Sequence, residues 1–132
     1  MKLFIDTNIF LDLILKREHF HDALLIFNAI EKKIFSALIL DITILNIEYV
    51  AKKQVSDIRS FIALVAQNFV LCGVTNEMVA RALKIDNSDF EDTIQYLSAK
   101  DTHCDMIITN DKYFYRADIP VSSSSDFVAK YL

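Results

Sequence analysis

Short apolar runs of strand length alternate along the chain with stretches whose apolar residues recur every three or four positions. Leu3, Phe4 and Ile5 form the first run. Ile9, Phe10, Leu13 and Ile14 then share a helical stripe, with Asn8 placed to cap a helix from Ile9 to about Leu15 and Asp12 on its polar side. Ala23, Leu24, Phe27 and Ile30 predict a second helix, and residues 35–40 return to strand-like character. Two helices follow. The first covers residues 42–53, with Ile42, Leu45, Tyr49 and Val50 as its apolar face, and the second starts at Ser56 and carries Ile58, Phe61, Ile62 and Val65. FVLCGV (69–74) reads as a strand, and Thr75 as the cap of a short helix ending near Leu83. Ser88 with Glu91 matches a capping box for a helix running to about Lys100. DMIITND (105–111) and ADIPV (117–121) read as further strands, and Asp126, Phe127, Val128 and Leu132 as a terminal helix.

This alternation points to an α/β fold with a mostly parallel central sheet. A length of 132 residues suits one domain spanning 1–132, and 53% hydrophobic residues, ten Phe, one Gly and one Pro exclude a disordered chain or a turn-rich β-sandwich. With Gly73 the only glycine, the usual phosphate and dinucleotide loops are excluded as well.

The net charge of −4 resides in the second half, since residues 1–66 balance. Asp86, Asp89, Glu91, Asp92, Asp101, Asp105 and Asp111 lie in one stretch with few positive charges, a poor design for passive binding of a phosphate backbone. A nucleic acid would need a divalent cation at that cluster or a basic rim. Asp6, Asp12 and Lys16 interrupt the apolar start, which excludes a signal peptide or membrane span there and makes the cytoplasm the expected location. Cys72 and Cys104 have neither disulfide-framework nor zinc spacing and read as small core residues. His19, His21 and His103 read as packing or surface residues.

Asp6 and Asp111 each stand at the end of a very apolar strand. Such ends converge on the ligand crevice of a parallel sheet, where paired carboxylates need a cation or proton, and hard oxygen donors suit Mg²⁺ or Mn²⁺. The alternative is local, with Asp6 capping a helix beside Asn8 and Asp111 serving a turn in ITNDKY. Asp92 shares a helical face with Tyr96 and Ala99, apart from the wet side assigned to Glu91 and Gln95, although the field of the helix N-terminus would also favour a carboxylate there. Asn46, among Ile42, Tyr49 and Val50, needs a polar partner, and a metal-bound water or a carboxylate would serve. Glu48 lies too far around the same helix to join it and reads as an ion pair with Lys52. The Thr109 hydroxyl is placed to orient Asp6 or Asp111.

FIDTNIFLDLI, SALILDITILNIEYVAKK, SDFEDTIQYLSAK, DMIITNDKYF and DIPVSSSSDF together resemble, in order across nearly the whole chain, the PIN domain family and in particular the small VapC-like toxins of bacterial toxin–antitoxin pairs. The resemblance implies a three-layer α/β/α sandwich that gathers acids around Mg²⁺ or Mn²⁺ and cleaves RNA. It assigns Asp6, Asp92 and Asp111 as metal ligands and catalytic residues, with Asn8 and Thr109 as polar neighbours. The remaining family acid, usually glutamate, falls on Asn46, which offers a carbonyl and an amide without a charge. Also implied are a cognate antitoxin and a homodimer, for which apolar residues around Phe10, Phe20 and Phe27 offer either a groove or simply core. Lys16, Arg17, Lys52, Lys53, Lys112 and Arg116 are candidates for a basic rim or ordinary solvated charges. A second reading is a catalytically weakened PIN-like binding module, marked by Asn46. A third is a phosphoacceptor of the receiver type, which lacks the acidic pair expected at its first strand end.

Overall fold

The computed structural model describes residues 1–132 and contains a five-stranded, wholly parallel sheet covered on both faces by helices. In chain order the elements are β1 (Lys2–Ile5), α1 (Thr7–Ile14), α2 (Phe20–Glu31), β2 (Ser36–Leu40), α3 (Asp41–Ala51), α4 (Ile58–Asn68), β3 (Val70–Cys72), α5 (Asn76–Ala82), α6 (Phe90–Asp101), β4 (Met106–Ile108), β5 (Val121–Ser122) and α7 (Ser124–Tyr131). The strand order is β3-β2-β1-β4-β5, which puts β1 at the centre, pairing Phe4 with Leu38 on one side and with Ile107 on the other.

The two-residue period of a strand divides the core into two. Leu3, Ile5, Ala37, Ile39 and Ile108 face one layer, packing with Ile9, Phe10, Ile26, Ile47, Val65 and Phe127 from α1, α2, α3, α4 and α7. Phe4, Leu38, Leu40 and Ile107 face the other, against Met78 and Ala82 of α5 and Ile94, Leu97 and Ala99 of α6. Both faces are therefore apolar, which is why these strands read as unbroken hydrophobic runs.

Helix starts shift slightly from the sequence reading. α1 begins at Thr7, not Ile9, so Asn8 lies inside its first turn instead of capping it. Asp57, one residue past Ser56, caps α4 by accepting from the Ser60 amide and hydroxyl. At α6 the cap is Asp89 and not Ser88: its Oδ1 accepts from the Asp92 N–H at 3.0 Å. Either residue type can cap, and Asp adds a charge that the helix N-terminus favours. Thr75 caps α5 as expected, and Ser123 caps α7.

Helices α1, α2 and α6 end alike. The residue after each C-cap, Lys16, Lys33 or His103, adopts a left-handed backbone (φ 51°, 60° and 58°). The next amides close back on the helix, Arg17 N to Asp12 O at 3.0 Å, Ile34 N to Ala29 O at 2.9 Å and Cys104 N to Ala99 O at 2.9 Å. Glycine usually fills this position. A chain with one glycine uses lysine and histidine instead.

The face of α3 that packs inward is Thr43, Ile47 and Ala51, while the predicted apolar face is outward, with Ile42 44%, Leu45 67%, Tyr49 75% and Val50 39% exposed. Two apolar stripes run along this helix, and the narrower residues won the sheet. Thr43 is admitted because its Oγ1 lies 3.0 Å from Thr7 Oγ1, which satisfies both buried hydroxyls and ties α3 to the start of α1. Asp12, expected on a wet face, is buried and receives the Asn110 amide at 3.1 Å.

Candidate active site

The carboxyl ends of β1 and β4 carry Asp6 and Asp111 to the same edge of the sheet, with Leu3 paired to Met106 and Ile5 to Ile108 fixing their register. Asp6 follows Phe4 by two residues and so points toward the α6 layer. Gln95 Nε2 donates to its Oδ1 at 3.1 Å, and Thr109 Oγ1 donates to its Oδ2 at 2.7 Å. Asp6 occupies the N-cap position of α1, but its side chain makes no cap hydrogen bond and turns to the cleft instead. Its carboxylate is 5% exposed and locked from two elements.

Thr109 serves both strand-end acids rather than one. Its hydroxyl oxygen also accepts from the Asp111 amide at 3.1 Å, so a single side chain sets their relation. Asp111 Oδ1 accepts from the Tyr113 N–H at 2.9 Å, so the local turn is made as well, leaving the other oxygen free of it. Asn110, between them, faces the opposite layer, where it donates to Asp12 and Ser124 and accepts from the Ser124 amide at 2.9 Å.

From α6, Asp92 projects into the same cleft, and carboxylate oxygens of Asp89, Asp92 and Asp111 lie within 4.8 Å of one another. The cleft, about 260 Å³, is lined by these three with Asp6, Asn46, Asn8, Glu91 and Gln95 among others. The four residues read from sequence as the catalytic set, Asp6, Asn46, Asp92 and Asp111, all line it. Glu48 faces away, beside Ile58 and Ile62, and makes no ion pair; Lys52 Nζ lies 5.7 Å from the Tyr49 ring centre instead. None of the six candidate basic-rim residues lines the cleft.

Three polar members of the cleft, Asp89, Glu91 and Gln95, escape the sequence reading, Glu91 because its helical position reads as the wet side of α6. Asp89 has no role while the helix start is placed at Ser88, because that capping box shifts it out of register. Gln95, which periodicity puts on the wet side of α6, is 1% exposed. Residues Asp92 to Ala99 are all buried, since α6 is enclosed by the sheet, α5 and the cleft, so polarity along it does not mark solvent.

The acids destabilise one another as charges. Burial pushes Asp6 above its ordinary value, against the hydrogen bonds of Thr109 and Gln95 that favour its charged form. Asp92 is pushed up to about 7, first by burial and then by the charges of Asp89, Asp6, Asp111 and Glu91. Glu91 is raised by burial and by Asp6 and Asp89. A cation in the cleft would reverse all three shifts. The donors fit a hard divalent ion, being carboxylate and amide oxygens with no histidine or cysteine among them. The Gln95 Oε1 atom, buried and without a partner in the chain, adds an acceptor suited to water held by such an ion.

A model of the PIN domain family matches residues 2–113. The sequence is 27% identical over 141 aligned positions to Ribonuclease VapC1 of Aquifex aeolicus (strain VF5), covering 98% of this chain and 95% of that protein. Among solved structures, it is similar to the toxin–antitoxin complex from Klebsiella pneumoniae (TM-score 0.68, 22% identity, 92% of this chain and 97% of that one). It is also similar to VapBC2 from Rickettsia felis bound to a promoter DNA fragment (0.67, 14%, 93% and 98%). A third similar structure is Mycobacterium tuberculosis VapC20, a sarcin–ricin loop cleaving toxin (0.60, 13%, 88% and 91%). At these identities the structural matches show a shared fold.

Proposed function

The chain belongs to the PIN domain family, and from that premise we propose that it is a divalent-metal-dependent endoribonuclease acting as the toxin of a toxin–antitoxin pair. The observation that carries this reading is the convergence of Asp89, Asp92 and Asp111 from α6 and the end of β4 to within 4.8 Å, beside the locked Asp6.

Asp89, Asp92 and Asp111 would hold the ion, Mg²⁺ or Mn²⁺, and Asp6 would complete its oxygen environment. When bound, the ion lowers the pKa of a water and offsets charge developing on the scissile phosphate. Hydrolysis adds water to phosphorus, breaks one P–O ester bond and leaves the departing oxygen protonated. Gln95 and Thr109 keep Asp6 in one rotamer, so its remaining lone pairs have a fixed direction toward the cleft. Asn46, one turn after the Thr7–Thr43 contact, lines the cleft and would offer its amide to the bound strand. It brings no charge, but Asp89 contributes a fourth carboxylate to the same cleft, so the acid count does not fall.

The named relatives include toxin–antitoxin complexes, which supports a cognate antitoxin here. A groove of about 280 Å³ between α1, α2 and α4, walled by Leu13, Ile14, Phe27, Phe61 and Leu64, offers a protein partner an apolar seat. Phe10 is fully buried and belongs to the core. The outward Leu45 and Tyr49 of α3 suit a homodimer seam. No helix is long and apolar enough to cross a membrane.

The test is cleavage of a fluorescent single-stranded RNA with Mn²⁺, with Mg²⁺ and with a chelator. Cleavage should require metal and be lost in Asp92→Asn and Asp6→Ala. Metal-independent cleavage, or an Asp6→Ala enzyme as active as the parent, would overturn the reading.

A further inference from the structure

Beside the acidic cleft, and sharing Asn46 and Glu91 with it, lies a second recess of about 450 Å³ with apolar walls of Ile42, Val74, Phe90 and Ile94. We propose that this recess is a nucleobase subsite, with Phe90 as the stacking platform for a base next to the scissile phosphate. The proposal rests on the ribonuclease reading and adds a determinant of which RNA is bound.

Four observations select a base as the occupant. Phe90 is the first residue of α6, directly after Asp89 of the acidic cluster, yet it is 44% exposed and takes no place in either core. Ile42 and Val74, 44% and 40% exposed, come from α3 and from the turn after β3, so three separate segments present apolar surface to one small hollow. A volume of this size falls within the roughly 300–1,000 Å³ of small-ligand sites. The Asn46 side chain, on the boundary, makes no hydrogen bond within the chain and offers both a donor and an acceptor, which is what a base edge requires.

Electrostatics gives the second argument. No Lys or Arg lines either the cleft or the recess, and the chain carries a net charge of −4. Phosphates are therefore poorly attracted here, and the usual source of nucleic-acid affinity is weak. Stacking of a base on an aromatic ring is indifferent to that charge and supplies binding energy where ionic contacts do not. Continuity of the two hollows through Asn46 and Glu91 places a stacked base and a phosphate in the acid cluster on neighbouring nucleotides of one strand.

The chain has no tryptophan, so Phe90→Trp creates a single fluorescent reporter at the platform. In an Asp6→Ala background with Mn²⁺, where cleavage is lost but Asp89, Asp92 and Asp111 remain, its emission should be quenched by a short single-stranded oligoribonucleotide. Quenching should disappear when one position of the oligonucleotide, and only that one, is made abasic. In cleavage with Mn²⁺, Phe90→Leu should raise KM by about tenfold with kcat nearly unchanged, and Phe90→Trp should retain the parent KM. Quenching or cleavage indifferent to every abasic substitution would overturn the subsite while leaving the nuclease intact. Base-dependent quenching with no cleavage in metal would sink the nuclease reading and keep the subsite. If the indole emission of the Phe90→Trp protein depends on protein concentration without RNA, and light scattering finds a dimer that Phe90→Leu dissolves, a second copy fills the recess and the subsite is likewise overturned.

Discussion

Gln95 of α6 donates to Asp6, at the end of β1, at 3.1 Å across 89 positions of sequence, and this bond joins the helix carrying Asp92 to the strand at the centre of the sheet. Its geometry makes Asp6 a fixed part of the cleft instead of a mobile surface acid.

Removing the other bond to Asp6 tests that arrangement. Thr109→Val keeps the shape of the side chain but deletes the hydroxyl that donates to Asp6 and accepts from Asp111. Asp6, already raised by burial, should rise further, and Mn²⁺ affinity measured by calorimetry should fall about 10–100-fold, as for other residues that orient metal ligands. The activity–pH profile should move to higher pH, because more base is needed to ionise Asp6.

Stability should respond to pH in the opposite sense to an ordinary acid pair. Asp92 is raised from 3.8 to about 7, and Asp6 and Glu91 are raised too, so the folded protein binds more protons than the unfolded chain across that window. The contribution is complete below about pH 4 and is lost as pH rises through about 7. Without metal, the unfolding free energy should fall as pH rises from about 5 to about 8, Asp92 contributing most of the change. Mn²⁺ should restore it at the higher pH, and Asp92→Asn should raise the metal-free melting temperature there while abolishing cleavage. Calorimetric melts at the two pH values decide the matter.

Asn110 should prove a structural keystone. It joins the end of β4 to Asp12 of α1 and Ser124 of α7, and Asn110→Ala leaves a buried carboxylate without its donor. The expected loss is about 2–3 kcal/mol, read from urea unfolding monitored by circular dichroism.

The left-handed ends of α1, α2 and α6 offer the reverse experiment. Lys33→Gly relieves an unfavourable conformation at an exposed position, and should stabilise by about 1 kcal/mol, with the urea midpoint raised and the slope unchanged. Lys33→Val should lower the midpoint.

Strands, their parallel arrangement and the pairing of Asp6 with Asp111 were legible because apolar runs of strand length bounded by acids admit few alternatives. Thr109 was legible for the same reason, standing between a strand end and an acid. The facing of α3 was not, since Thr43 becomes an inward residue only once Thr7 meets it. Gln95 was hidden by a helix with no solvent face along most of its length. Asp89 was hidden by one residue of cap register. The first two failures share a cause: each depends on what a second element brings, which local periodicity does not contain, whereas the third is a local choice between two adjacent capping residues.

The alternation of β1 carries a consequence for insertions and deletions. Phe4 and Asp6 share one side of the sheet, and Leu3 and Ile5 the other. Deleting one residue between positions 2 and 5 would preserve composition almost unchanged and yet turn the carboxylate toward α1, while deleting two would return it to the proper side with a shorter reach. The centre is thus specified partly by whether a count is odd or even. Gaps of one residue in this strand should separate active descendants from inactive ones more sharply than most substitutions do.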